Sequence, residues 1–257
     1  MTGPTPLLDF FKRGEVARDV RLLAAQGALT PRACEQLEIL VLLLDDPDPD
    51  IRGAADQTIG RIPVEALMGF LARSDAPMGL REFFGDRGIF PAEVPAIEAE
   101  DPLIDTSDFH EHHAEGDERE TAVQRLAKMS FPDRLKAAVK GSREMRSILI
   151  RDPNKMIAAA VLSSPKLAES EVETFARMAT ISEDILRIIA TNRAWTKNYA
   201  VVLGLTKNPK TPLSMSMSFM SRLNDRDLQM LKVDRNISEV LRIAARKKVA
   251  ANTSGHG

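Results

Sequence analysis

Apolar residues recur at intervals of three and four along most of the chain, with charged and small polar residues between them. That spacing predicts amphipathic helices, since one face of a helix is revisited every 3.6 residues. From Leu7 to Gly88 it runs through LLDFF, VARDVRLLAA and, most strongly, CEQLEILVLLL. The last of these is apolar nearly all round from Leu37 to Leu44, which predicts a central, buried helix. Thr30-Pro31 suits its start and the DDPDPD run at 45–50 its end, because proline removes a helical donor and acids favour the amino-terminus of the helix that follows.

Residues 130–250 divide into about nine short helical segments. The breaks fall at GS 141–142, RDPN 151–154, SSPK 163–166, TIS 180–182, NRAWT 192–196, KNPKTP 207–212, LND 223–225 and DRNIS 234–238. Ser, Asn, Asp and Pro at such joints are the expected caps and stops. Two echoes run through this part: Ile181-Ser182-Glu183 returns as Ile237-Ser238-Glu239, and Ser164-Pro165-Lys166 as Asn208-Pro209-Lys210. PLSMSMSFMSRL at 212–223 alternates with period two, a strand pattern taken alone. Its flanks are helical and no partner strand is in view, so helix is expected there too.

Charge divides the chain more sharply than hydropathy does. Residues 1–92 carry a net −4, residues 93–120 a net −10 and residues 121–257 a net +12, returning the overall −2. The middle stretch has two prolines, with a third just before it at Pro91, few apolar residues and no period, so it reads as a flexible acidic linker between two folded modules. The expected organisation is an amino-terminal module at 1–92, the linker at 93–120, a basic module at 121–250 and a disordered tail at 251–257.

Asp46-Pro47-Asp48-Pro49-Asp50-Ile51-Arg52, with Ala55 and Ile59-Gly60 beyond, resembles the second helix of a HEAT repeat. The resemblance covers about one repeat. It implies that Asp46 and Arg52 link neighbouring repeats, and that the fold is all-α. The short helices of 130–250 are similar to HEAT-like and leucine-rich-variant repeat proteins of bacteria. Together these imply an irregular helical-repeat solenoid, in which each unit buries its apolar side by stacking on the next. Such families are mostly scaffolds, so the resemblance implies no catalytic residues.

Candidate chemistry is sparse. His110-Glu111-His112-His113 is the one metal-like group, but ligands on a linker are not pre-positioned, and a solvated run is the preferred reading. No phosphate-binding loop, dinucleotide fingerprint, zinc-protease or nucleophile-elbow motif occurs. The single Cys34 excludes a disulfide framework and reads as a buried thiol. No cofactor is expected. Apolar runs such as Ile39 to Leu44 are too short to span a membrane, and MTGPTPLLDFFKRGE lacks the order of a signal peptide. A cytoplasmic protein is therefore expected.

Cations gather at the helix joints of the basic module: Arg151, Lys155, Lys166, Arg193, Lys197, Lys207, Lys210 and Arg235. Trp195, the only tryptophan, sits between Arg193 and Lys197. It could stack on a base or anchor a protein contact; alternatively it plugs the gap between repeats. Met215, Met217, Phe219 and Met220 pose the same choice between a pliable binding surface and core. Two functions follow: an adaptor that binds an unidentified protein partner through these residues, or nucleic-acid binding by the basic module. In the second, the acidic linker folds back as an internal competitor.

Overall fold

The computed structural model describes residues 6–95, 101–106 and 121–254. The protein is all-α, with sixteen α-helices, one 3-10 turn and no strand among the described residues. The helices are α1 (Pro6–Lys12), α2 (Arg18–Ala25), α3 (Ala33–Leu43), α4 (Pro49–Arg61), α5 (Val64–Leu71) and α6 (Met78–Gly85). Then come α7 (Ala122–Lys128), α8 (Phe131–Lys140), α9 (Arg143–Leu149), α10 (Lys155–Leu162), α11 (Glu169–Arg177) and α12 (Glu183–Thr191). The 3-10 turn Trp195–Lys197 precedes α13 (Tyr199–Lys207), α14 (Leu213–Met220), α15 (Asp225–Leu231) and α16 (Glu239–Ser254).

The joints cap the helices as their residue types require. Side chains of Asp48, Ser130, Ser142, Asn154, Ser182, Asn198 and Asn224 each accept from a backbone N–H one to three residues into the next helix. Thr121 and Gln124 form a reciprocal capping box at α7. Gly141 is needed where α8 meets α9, because a Cβ there would lie 2.4 Å from the Ala137 carbonyl oxygen. The period-two segment is helical, as its flanks imply, with Ser216, Phe219 and Met220 buried. Helix α3 starts at Ala33, two residues later than Thr30-Pro31 suggests, and the Arg32 N–H donates to the Ser163 carbonyl at 3.3 Å.

Two compact units divide the chain, residues 1–167 and 168–257. The division therefore falls inside the expected basic module, and helices from both sides of the acidic segment share the first unit. The reason is apolar: every residue of α10 from Met156 to Leu162 is buried, and α1 packs Leu7, Leu8 and Phe11 against α3 and α10. Burying a large aliphatic side chain is worth roughly 1.5–3 kcal/mol, and α10 has no polar face to leave in water. Glu35 of α3 serves the same junction. Its buried carboxylate accepts from the Leu7 and Leu8 N–H groups at 2.6 and 3.1 Å, capping α1 from a different helix.

Residues 101–106, inside the expected linker, are docked on this unit. Gln36, itself buried, accepts from the Leu103 and Ile104 N–H groups at 2.8 and 3.2 Å and donates to the Ile104 carbonyl at 2.6 Å. Thr106 donates its N–H to the Gly27 carbonyl and its hydroxyl to the Gln26 carbonyl. Asp105 meets the Lys140 amine at 2.6 Å. Helix α2 ends just there in a Schellman turn: Gly27, at φ +75°, donates to Ala24 and Ala28 donates to Leu23.

Candidate binding site

The joint at 207–212 organises the second unit. Helix α13 packs against α11 through the buried Val201, Val202 and Leu205, and it stops where Asn208 and Pro209 follow Lys207. Asn208 is buried, and its amide donates to the Ala176 and Met178 carbonyls at 3.0 and 3.1 Å. Those are orphan acceptors at the carboxyl end of α11. The Asn208 side-chain oxygen accepts from the Lys210 N–H at 3.0 Å, closing an Asx turn, and the Thr211 N–H donates to the Asn208 carbonyl. The joint is thus fixed to α11 and presents Lys210 to solvent.

On one side of the joint lies a cleft of about 550 Å³. Lys210, Thr211, Leu213 and Ser216 line it from the joint and α14, and Ser182 from the start of α12. Ile237, Ser238 and Leu241 close it from α16. Ser182 and Ser238 cap α12 and α16, accepting from the Ile185 and Leu241 N–H groups. The Ile-Ser-Glu echo is therefore spatial, since it brings two equivalent helix starts to one cleft. Its chemistry is mixed: an aliphatic wall, several hydroxyls, the Lys210 ammonium and the Glu183 carboxylate, which is paired with Arg187 at 2.5 Å. The Thr211 hydroxyl oxygen is fully covered by protein and has no hydrogen-bond partner there. A second depression of about 330 Å³ lies on the other side, lined by Arg177, Leu203, Gly204, Lys207 and Asn208. Lys207 there is 4.0 Å from the Asp227 carboxylate.

The remaining candidate cations do not converge. Arg151, Lys155 and Lys166 belong to the first unit and are exposed. Lys155 borders a separate hollow of about 450 Å³ with Phe10, Glu15 and Phe131, and Lys166 donates to the Lys140 carbonyl at 3.3 Å. Arg193, Lys197 and Arg235 are exposed in the second unit, outside the two clefts. Trp195 is 9 % exposed and packs in its 3-10 turn against α12 and α13. The stacking role is withdrawn for it, because its ring surface is already covered by protein. The methionine stripe divides: Met220 and Phe219 are core, whereas Met217 is exposed.

Asp46 does bridge elements, but through a different arginine from the one the resemblance implies. Its buried carboxylate meets the Arg21 guanidinium of α2 at 2.8 Å and caps the Asp48 N–H. Arg52 donates to the Asp46 and Pro47 carbonyls of its own loop. Nothing in the periodicity marks Arg21 or Gln36 as linking residues, because both lie on helix faces that the pattern reads only as polar.

No catalytic group emerges from the titrating residues. Burial, and then Glu38 at 3.7 Å, pushes the Cys34 thiol up to about 12, so it holds its proton at neutral pH. Burial raises Glu35 to about 7, against the nearby Ser163 hydroxyl, the bonds from Leu8 and Leu7 and the Arg32 charge. Among the described residues no three His, Cys, Asp or Glu side chains gather to hold a metal; His110, His112 and His113 lie outside those residues. Among the described residues no helix is long and apolar enough to cross a membrane. Comparison with family models, with curated proteins and with solved structures gave no match, so the functional reading stands on the geometry of this chain.

Proposed function

We propose that the protein is a non-catalytic, cytoplasmic helical-repeat adaptor that binds another protein at the 207–212 joint. The observation that carries this reading is the cleft beside Lys210. It offers an aliphatic wall of Leu213, Ile237 and Leu241, hydroxyls from Ser182, Ser216 and Ser238, and the exposed Lys210 ammonium, with Glu183 held by Arg187. A peptide segment with an apolar side chain next to a carboxylate meets each of those demands. Lys210 answers the carboxylate, and the aliphatic wall answers the apolar group.

Affinity selection of a displayed random-peptide library on the full chain tests this. Selected peptides should pair acidic with apolar residues and bind Lys210→Glu at least ten-fold more weakly than the native chain. Selected peptides that bind both chains equally would remove the cleft from the proposal.

The alternative is nucleic-acid binding with the acidic segment as internal competitor. It is favoured by one contact, in which Asp105 of that segment occupies the Lys140 amine at 2.6 Å. Phosphate neutralisation would then give an affinity that falls steeply with salt, and Asp105→Asn would raise it.

A further inference from the structure

The segment 101–106 is held in a way that resembles ligand binding more than core packing. Three hydrogen bonds run from its main chain to the Gln36 side chain, and one from the Thr106 N–H to the Gly27 carbonyl. None of the four depends on what side chain the segment carries. Its apolar residues Leu103 and Ile104 are only half-buried, and Asp105 and Thr106 are exposed. Selectivity enters at two places. Ile104 lies over Gly27, where a Cβ would come 3.4 Å from the Ile104 Cγ2 and 3.0 Å from the Thr58 Cγ2, so the bare backbone there makes the seat. Lys140 on α8 reads the carboxylate of Asp105.

We propose that this groove, formed by Gln36, the Gln26-Gly27 turn and Lys140, is a peptide-docking site, and that residues 101–106 are its internal ligand. The partner it fits is an extended protein segment with two apolar residues followed by an acidic and a hydroxyl residue, displacing Leu103-Ile104-Asp105-Thr106. The internal segment sets a threshold, because a tethered ligand competes at high effective concentration. Gln36 suits the groove to extended main chain, because its one side chain both accepts from and donates to the backbone of the seated segment. This site lies in the first unit and does not depend on the cleft beside Lys210.

The direct test replaces residues 101–106 in the full chain with Gly and Ser at equal length. A fluorescein-labelled peptide spanning residues 100–107 is then titrated by anisotropy. The replaced chain should bind the peptide saturably and at least ten-fold more tightly than the native chain. Gln36→Ala in that background, or Lys in place of Asp105 in the peptide, should abolish binding. A cooperatively melting replaced chain that does not bind would overturn the proposal. Hydrogen exchange on the native chain gives a readout that needs no variant. The Leu103 and Ile104 amides should be protected at least a hundred-fold less than the amides of α10, as a displaceable segment requires. Equal protection would make 101–106 a fixed structural element and overturn the proposal as well.

Discussion

The Asn208 amide spans the gap between the carboxyl end of α11 and the joint, 3.0 Å from the Ala176 carbonyl. With the bond to Met178 and the one accepted from Lys210, this buried side chain satisfies three backbone groups. Asn208→Ala leaves the Ala176 carbonyl without a partner in a buried setting and the Met178 carbonyl and Lys210 N–H without one in partly buried settings. It should cost about 2–3 kcal/mol of stability, read as a lower urea midpoint. Asn208→Asp, which keeps the acceptor but loses the donor amide, should retain the Lys210 turn and lose the anchor to α11.

The linking acid in the first unit is expected to matter more than the arginine beside it. Asp46→Ala strands Arg21 and uncaps Asp48, and should cost about 2–3 kcal/mol. Arg52→Ala removes two bonds to carbonyls near solvent and should cost about 1 kcal/mol or less. Chemical denaturation of the two variants side by side checks the order. If Arg52→Ala is the more damaging change, the linking role passes back to Arg52.

Much of the helix series was legible because the joints carry their own caps. The series Asp48, Ser142, Asn154, Ser182, Asn198 and Asn224 is local chemistry, and local chemistry is readable from neighbours in sequence. Unit boundaries were not legible, since α1 and α10 are joined by apolar faces that any helix of similar pattern could cover. The acidic composition of 93–120 predicted a tether, and at 101–106 that reading failed for a definite reason. Main-chain bonding to Gln36 needs no hydrophobic side chain and leaves no compositional trace. Of the candidate cations, Lys207 and Lys210 mark the clefts of the second unit, whereas Trp195 is core. An aromatic at a joint looks the same in sequence whether it faces water or fills a gap.

The pH dependence of the first unit should follow Glu35. Its ordinary value is 4.5 and burial raises it to about 7 in the fold. The folded chain therefore holds a proton that the unfolded chain has released between those two values. Stability should be greatest below about 4.5 and fall as pH rises through about 7, then level off, with a total loss on the order of 3 kcal/mol from this group. Glu35→Gln keeps an acceptor for Leu7 and Leu8 without the charge. It should flatten that part of the profile and be the more stable protein at pH 8. Urea midpoints between pH 5 and pH 8 decide it, and parallel profiles for the two chains would refute the assignment.

Cys34 is expected to be inert despite being partly accessible. With its thiol held up to about 12, the thiolate is scarce at pH 8. Reaction with a disulfide reagent should be roughly a hundred-fold slower or more than for free cysteine, and should recover in denaturant. Glu38→Gln removes the second cause of the shift and should speed the reaction several-fold. A native thiol that reacts at the free rate would contradict the buried setting.

The central claim is that Lys210 and its cleft bind a protein segment rather than a phosphate backbone. The most direct measurement is anisotropy on the full chain, with a labelled acidic–apolar peptide pool and with labelled single- and double-stranded oligonucleotides, each across a salt series. Saturable binding of the peptide pool, modest salt dependence and a loss of ten-fold or more in Lys210→Glu are expected. Tight oligonucleotide binding with a steep salt slope, and none by the peptides, would contradict that claim and turn the protein into a nucleic-acid binder.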